Sequence, residues 1–420
     1  MRPFKFVHTA DLHLDSPFVG ISRLDDSVAS RLREATFHTF ERVLDICIDQ
    51  RVDFLLIAGD VYNSRDRSLR AQIRFRDGLA RLNDAGISAF VVHGNHDPLD
   101  RWSASLRWPE RVHIFGGREV ERVVVGENGN VFAQIYGISY PTRDVRRNLA
   151  KEFRRVDDGP FAIGLLHCNL GDSTGHEPYA PCTVEDLVYV GMDYWALGHV
   201  HDHVIVCPER PAIAYPGNPQ GCNVREQKAR GCYLVQVDTE GHPSIDFVAV
   251  DTIRWFWETV SIEQASSEDE LIDTVENACA VVREQADNRP ALCRVTLEGR
   301  SPMHRKLMQS GFVDDLVRVI RESEGGRDPS VWLERIEVDT RPVVDVEARR
   351  SGQDFLSDLL ALIREYRGDP TLSSSLRSEL APLFESRRGR LFVEPLTDEE
   401  LLQCLDAAEA RCLDLLVGDD

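Results

Sequence analysis

The sequence contains no stretch approaching the ~18 consecutive apolar residues that can span a membrane. Its opening, "MRPFKFVHTADLH", runs straight into a polar motif without a secretory h-region. Both absences lead to the expectation of a cytoplasmic protein with no membrane partner. The ten cysteines are scattered from Cys47 to Cys412 and include no CxxC pair. Neither a zinc knuckle nor a disulfide framework is therefore indicated, and the thiols read as small buried hydrophobes. No G-x-x-x-x-G-K-[ST] occurs, so the chain carries no P-loop. Positive charge is scarce as well: 49 Lys and Arg stand against 70 Asp and Glu, a net charge of −21. That balance argues against a protein whose whole surface coats nucleic acid. No internal repeat or low-complexity segment is evident.

What the sequence does hold is a soluble globular composition, 42% hydrophobic and 28% charged, over 420 residues. That length is enough for two or three domains. The first half alternates β-rich apolar runs with helical patterns. "FKFVHTA", "DFLLIAGD", "ISAFVVHGNHD", "FAIGLLHCN" and "YWALGHVH" read as strands. Val28, Leu32, Thr36, Phe40, Val43, Leu44, Cys47 and Ile48 form one helical stripe, and residues 69–85 form a second helix. The alternation implies an α/β fold with a largely parallel sheet and covering helices. After His201, "AIAYPG", "GCYLVQVD" and "SIDFVAV" read as an antiparallel ladder. Residues 254–343 read as a small α/β domain, following a first domain over 1–253, and 344–420 as a helical tail.

Charge is uneven along the chain. Residues 65–81 hold six Arg against two Asp, and residues 143–155 hold six basic residues. Each segment is either a solvated helix face or a phosphate-contacting surface. From residue 346 onward there are 16 acids against nine Arg. The last helix carries Leu401, Leu405, Ala408, Cys412 and Leu415 on one stripe. Such a seam packs on the chain's own core or docks on a coiled coil.

Each strand of the first half ends in residues that can hold a metal. Asp11 and His13 follow the first strand, Asp60 the second, and Asn95, His96 and Asp97 the third. His167 closes the fourth, and His199 and His201 follow the fifth. In open α/β sheets, ligands gather beyond the carboxyl ends of strands, so these residues can converge. In an extended segment i and i+2 face one side, which would pair Asp11 with His13 and His199 with His201. Gly59, Gly94 and Gly198 would let the backbone turn tightly before the ligands. Seven N/O ligands around a central carboxylate can hold two divalent cations, and the absence of thiolate suits manganese, iron, zinc or magnesium-type chemistry.

The order D-x-H, G-D, G-N-H-D, a lone His, then G-H-x-H resembles the calcineurin-like metallophosphoesterases. Within them, "HTADLHLDSPF", "YPGNPQG" and "GCYLVQVD" resemble the SbcD-type DNA repair nucleases, in the YhaO branch. The resemblance covers roughly residues 1–250; beyond them only the layout is similar. It implies a four-layer sandwich of two mixed sheets flanked by helices, with a small α/β cap domain and a helical C-terminal tail. It also implies that Asp11, His13, Asp60 and His201 hold one metal and that Asp60, Asn95, His167 and His199 hold another. His96 would act beside the scissile phosphate, and Asp97 would either orient it or close the turn before Pro98. His8, His93, His176 and His203 match no metal position and read as structural or solvent-facing. Asn63 is a departure, since a His often stands there in DNA-processing relatives; it either steers phosphate or closes the turn after the strand.

The expected activity is a two-metal, manganese-dependent DNA nuclease working with a separate SbcC-like ATPase, called YhaN in this branch. The acidic tail is the candidate docking segment, and a homodimer is compatible with this reading. The alternative is a phosphoesterase for a cyclic nucleotide or other small phosphoester, because metals recognise the phosphoryl group and not its substituents. A third reading, a scaffold with a vestigial metal site, fits poorly with a complete ligand set.

Overall fold

A computed structural model describes the chain apart from residues 19–25, 64–67, 102–103, 128, 157–158, 172–178, 344–353, 386–395 and 417–420. Arg65, Arg67, His176 and the start of the expected tail lie outside the described residues. The chain forms two compact units. One holds Met1–Trp257, Cys279–Arg294 and Ser323–Arg335; the other holds Glu258–Ala278, Val295–Glu322 and Ile336–Asp420.

The first unit contains two six-stranded mixed sheets. One runs, edge to edge, β12 (Pro243–Ala249), β11 (Gly231–Val237), β1 (Phe4–Thr9), β2 (Phe54–Ala58), β3 (Ser88–Val92) and β4 (Val112–Ile114). The other runs β5 (Glu121–Glu127), β6 (Asn130–Gly137), β7 (Phe161–His167), β8 (Tyr194–Gly198), β10 (Ala212–Tyr215) and β9 (Val204–Cys207). Strands β1 to β4 are parallel, as are β6, β7, β8 and β10. The expected ladder after His201 is corrected here. Of those three runs only β11 and β12 pair with each other, while β10 lies in the other sheet, parallel to β8 and antiparallel to β9.

Burial on both faces explains the continuous apolar runs of the central strands. In β2, Leu55 and Ile57 face α1 (Asp26–Asp49) and α2 (Leu69–Asp84), whereas Phe54, Leu56 and Ala58 face the second sheet. On the far side of that sheet, Leu166, Trp195 and Leu197 pack with Leu187 of α3 (Val184–Val190). The expected four layers of helix, sheet, sheet and helix follow.

Three of the four arginines of α2 are matched by acids on α1 and its approaches, and Arg76 pairs with Asp77 of its own helix. Arg70 pairs with Glu34 and with Asp15 (3.3 Å), Arg74 with Glu41 (3.2 Å) and Arg81 with Asp45 (2.7 Å). Arg70 and Arg74 also lie over the Phe37 ring. Among the described residues this segment joins two helices. In the 143–155 segment, Arg146 pairs with Asp144, Arg147 with Glu152 and Arg155 with Asp193.

A three-stranded sheet of order β13 (Arg254–Ser261), β14 (Ala291–Arg300) and β15 (Val331–Arg341) accompanies α4 (Glu268–Gln285), α5 (His304–Leu307) and α6 (Phe312–Glu324). The tail forms α7 (Phe355–Gly368), α8 (Pro370–Glu385) and α9 (Asp398–Leu416). Helix α9 packs on α7 through Leu356, Leu360 and Leu413, and Arg367 bridges to Asp406 and Glu409 (2.5 Å each). Leu401 and Leu405 are buried, so that part of the stripe serves the chain's own packing. Ala408 is exposed, and the side chain of Leu415 lies outside the described residues.

Candidate metal centre

Five strand ends supply the residues singled out from the sequence, and they belong to both sheets: β1, β2 and β3 to one, β7 and β8 to the other. Hydrogen bonds fasten the two sets together. His167 Nδ1 donates to Ala58 O (2.9 Å), and His199 N donates to the Asp11 carboxylate (3.0 and 3.2 Å). The ligand atoms of Asp11, His13 and His201 lie within 4.8 Å of one another. The same limit holds for His13, Asp60 and His96, and for Asp11, Asp60 and His167. Asn95 Oδ1 lies 2.9 Å from His167 Nε2, and the His199 and His167 rings are 5.2 Å apart. All eight residues meet.

They meet for a reason the alternation argument missed. Asp11, His13, Asp60 and His199 have φ of 52°, 43°, 51° and 106°, so these segments are not extended. Asp11 N and His13 N donate to Gly59 O and Asp60 O (3.0 Å each), which clamps the β1 loop along the β2 loop. Non-glycine residues held at positive φ cost of order 1–3 kcal/mol each, and such residues cluster at functional sites. The glycines, too, serve different ends. Gly59 does turn left-handed, but a Cβ at Gly94 would lie 2.4 Å from Asp60 Oδ1, and one at Gly198 would lie 1.9 Å from Ala58 O. At those two positions glycine permits close approach, not a turn.

The donor set fits metal ions. A carbonyl only accepts, so the His167–Ala58 bond puts the proton on Nδ1 and leaves Nε2 as a lone pair aimed at Asp60 Oδ2, 3.5 Å away. His201 Nδ1 likewise meets the Glu226 carboxylate at 2.6 Å, and its Nε2 faces His13 Nε2 at 3.3 Å. Burial pushes the Asp11 carboxyl well above its usual range and Asp60 to about 6; it pushes His13 well down and His167 to about 4. Burial would lower His201 too, but Glu226, Asp11 and Asp60 outweigh it and raise the ring to about 9. Buried acids crowded against the imidazoles of His13 and His167, which burial keeps neutral, are the environment that a bound cation relieves. Binding at His201 displaces its proton.

His96 is half-buried, with its backbone N–H donated to Asp60 Oδ1 (2.9 Å). Asp97 is fully buried; it accepts from Gly94 N (2.7 Å), Val61 N (2.9 Å) and His93 Nδ1 (2.8 Å), so it closes the turn. His8 is buried between Tyr194 Oη and Leu197 O, and His203 stacks on Phe247.

Residues 4–203 match the calcineurin-like phosphoesterases, and residues 255–341 match the middle domain of the metallophosphoesterase YhaO. The chain is 38% identical over 335 residues to YhaO of Bacillus subtilis, described as an uncharacterized metallophosphoesterase, covering 80% of this chain and 81% of that one. The chain belongs to the calcineurin-like metallophosphoesterases. More distant relatives include the DNA double-strand break repair protein Mre11 of Sulfurisphaera tokodaii, 26% identical over 255 residues, with 59% of this chain and 60% of that one covered. The SbcD component of the nuclease SbcCD of Bacillus subtilis is 26% identical over 251 residues, covering 51% and 61%. The match spans about three fifths of each of these two nuclease relatives.

Three features of this metallophosphoesterase site escaped the sequence reading. Glu226 orients His201, Arg230 donates to His201 O, and the Tyr179 ring stands edge-on to His199 at 5.8 Å. None has a periodic or motif-like signal. Glu226 lies 25 residues beyond His201, after a turn-rich segment, and only the fold brings the two together.

Proposed function

We propose that the chain hydrolyses DNA phosphodiester bonds with two divalent ions, manganese being one of those that the N/O ligands suit. Asp11, His13, Asp60 and His201 would hold one ion, and Asp60, Asn95, His167 and His199 the other. The observation that carries this reading is the convergence of these donors around Asp60, with half-buried His96 beside them. Bound there, two ions polarise a phosphate and lower the pKa of a water to supply hydroxide at neutral pH. The protein's own residues do the rest. Asp60 is shared by both sets, and its second role is to hold the His96 backbone. The His96 imidazole gives a proton to the departing sugar oxygen. Glu226 and the Ala58 carbonyl hold the rings of His201 and His167 in the tautomer that presents Nε2.

The names of the Mre11 and SbcCD relatives support DNA as substrate. By the same likeness the chain would work in the cytoplasm with an SbcC-like (YhaN) ATPase, as a nuclease domain over 1–253, a cap over 254–343 and a docking tail over 344–420. Exposed Phe355, Leu362 and Leu402 on α7 and α9 offer that tail an apolar face. A small-phosphoester substrate is favoured by one observation, the pairing of the α2 arginines with α1 acids. The test is incubation of purified protein and manganese with single-stranded DNA, duplex DNA and cyclic dinucleotides. DNA cleavage is the expected result, and hydrolysis of cyclic dinucleotides alone would install the second reading.

A further inference from the structure

One buried pair of thiols has no part in this chemistry. Cys168 directly follows His167 at the end of β7, and its Sγ lies 3.6 Å from Cys182 Sγ. Both thiols are free, at 0% and 4% exposure. The backbone itself ties their segments together, with Cys182 N donating to Asn169 O (3.0 Å) and Gly171 N to Cys182 O (2.9 Å). A surface cavity of about 490 Å³ is lined by Leu170 and Gly171, two and three residues beyond Cys168, by Thr183, which follows Cys182, and by Tyr215, whose hydroxyl contacts Cys168. A small oxidant entering that cavity would reach the sulfurs' immediate neighbours.

We infer that Cys168 and Cys182 are an oxidisable dithiol whose closure to a disulfide disturbs the metal centre. With a peroxide as oxidant, one thiol takes up an oxygen atom to give a sulfenic acid and releases water. The second sulfur then attacks the first, forming the S–S bond and expelling a second water. The peroxide gains two electrons, and the two thiols lose them. Bonded sulfurs lie about 2.05 Å apart, so the pair must close by roughly 1.5 Å. The movement falls on two of the proposed ligands. His167 is the residue preceding Cys168. Tyr179, whose ring stands against His199, has its carbonyl bonded to Asn169 N (3.0 Å) beside Cys168. Sites of this kind tolerate only about 0.5 Å of ligand displacement.

The consequence for metal rests on the two-metal reading; the disulfide does not. The experiment therefore measures both. Full-length protein, with and without bound manganese, is treated with diamide, which takes two electrons from a thiol pair and spares the metal, then alkylated and digested. Mass spectrometry should find the Cys168 and Cys182 peptides linked and lighter by two hydrogens. Metal content of the loaded protein should fall, and hydrolysis of bis(p-nitrophenyl) phosphate should slow by about 10²-fold, as a 1 Å misplacement can cause. Dithiothreitol should restore both. Cys182→Ser, or Cys182→Ala should the first misfold, should keep its metal and rate under diamide. Both thiols remaining free for alkylation would overturn the pair. A disulfide that leaves metal content unchanged would overturn the coupling, whether or not the protein cleaves DNA.

Discussion

The Glu226 carboxylate sits 2.6 Å from Nδ1 of His201, and its other oxygen accepts Cys222 N at the same distance. The contact fixes the orientation of a ring whose far nitrogen faces His13. Glu226→Gln keeps the shape and removes the charge. Metal affinity should fall by about 10–100-fold, the usual effect of removing such a supporting carboxylate. Equilibrium dialysis against manganese checks this, and unchanged affinity would mean that His201 is positioned by other groups.

Asp60 is the carboxylate common to the His96-side and His167-side groups. Asp60→Ala should lower metal content from about two ions per chain to one or none, as a bridging role requires. Elemental analysis of the purified variant gives the answer. Two retained ions would remove Asp60 from the bridge.

His96 should behave differently, although its ring nitrogen lies near His13 and Asp60. His96→Gln should keep both ions and the fold but lose turnover by about 10²–10⁴-fold, the span of a general acid. Loss of metal in this variant would make His96 a ligand. Near-normal turnover would take it out of the reaction.

His8 offers a test of stability that uses none of the candidate ligands. Burial holds its pKa at about 3, against 6.5 in the unfolded chain. Below pH 6.5 the unfolded state therefore takes up a proton that the folded state refuses, and stability falls as pH drops through that window. Between pH 7 and pH 5 this one group should cost about 2 kcal/mol. His8→Gln, which retains hydrogen-bonding capacity, should lose that much less in urea unfolding over the same interval. Parallel losses in the two proteins would mean that His8 is protonated in the fold.

The convergence of the candidate site residues was legible because their types are restricted. Few arrangements other than a metal centre place Asp, His and Asn after five successive apolar runs, and strand order does not matter when all the parallel ends point one way. The reasons for their placement were not legible. The left-handed backbone at Asp11 and Asp60 comes from clamping between the β1 and β2 loops, a contact 47 or more residues apart in the chain. Gly94 resembles any turn glycine until Asp60 is seen against it. Sheet membership was likewise hidden: β10 carries the same apolar signal as β11, and only pairing assigns them to different sheets. The β5–β6 hairpin had a usable signal, the Asn-Gly at 128–129, which is the strongest short-range mark of such a turn. Its strand β5 alternates half-buried and exposed residues, so it lacks the long apolar run that revealed the others. Glu226 had no signal at all.

Strand β1, the earliest of its sheet in chain order, is not an edge. It lies between β2 and β11, with Phe4 opposite Val237 and His8 opposite Tyr233. The first sheet therefore keeps an open seam at its centre until residue 237 has been synthesised, more than half the chain later. Pairing across such a separation is slow to form, because loop closure precedes any reward from contact. Asp11, His13 and Asp60 precede His199 and His201 by well over a hundred residues, so the candidate site too is completed only by the later part of the chain. A chain interrupted before β11 is left with β1, paired only to β2, as an open edge in what should be the interior of the sheet.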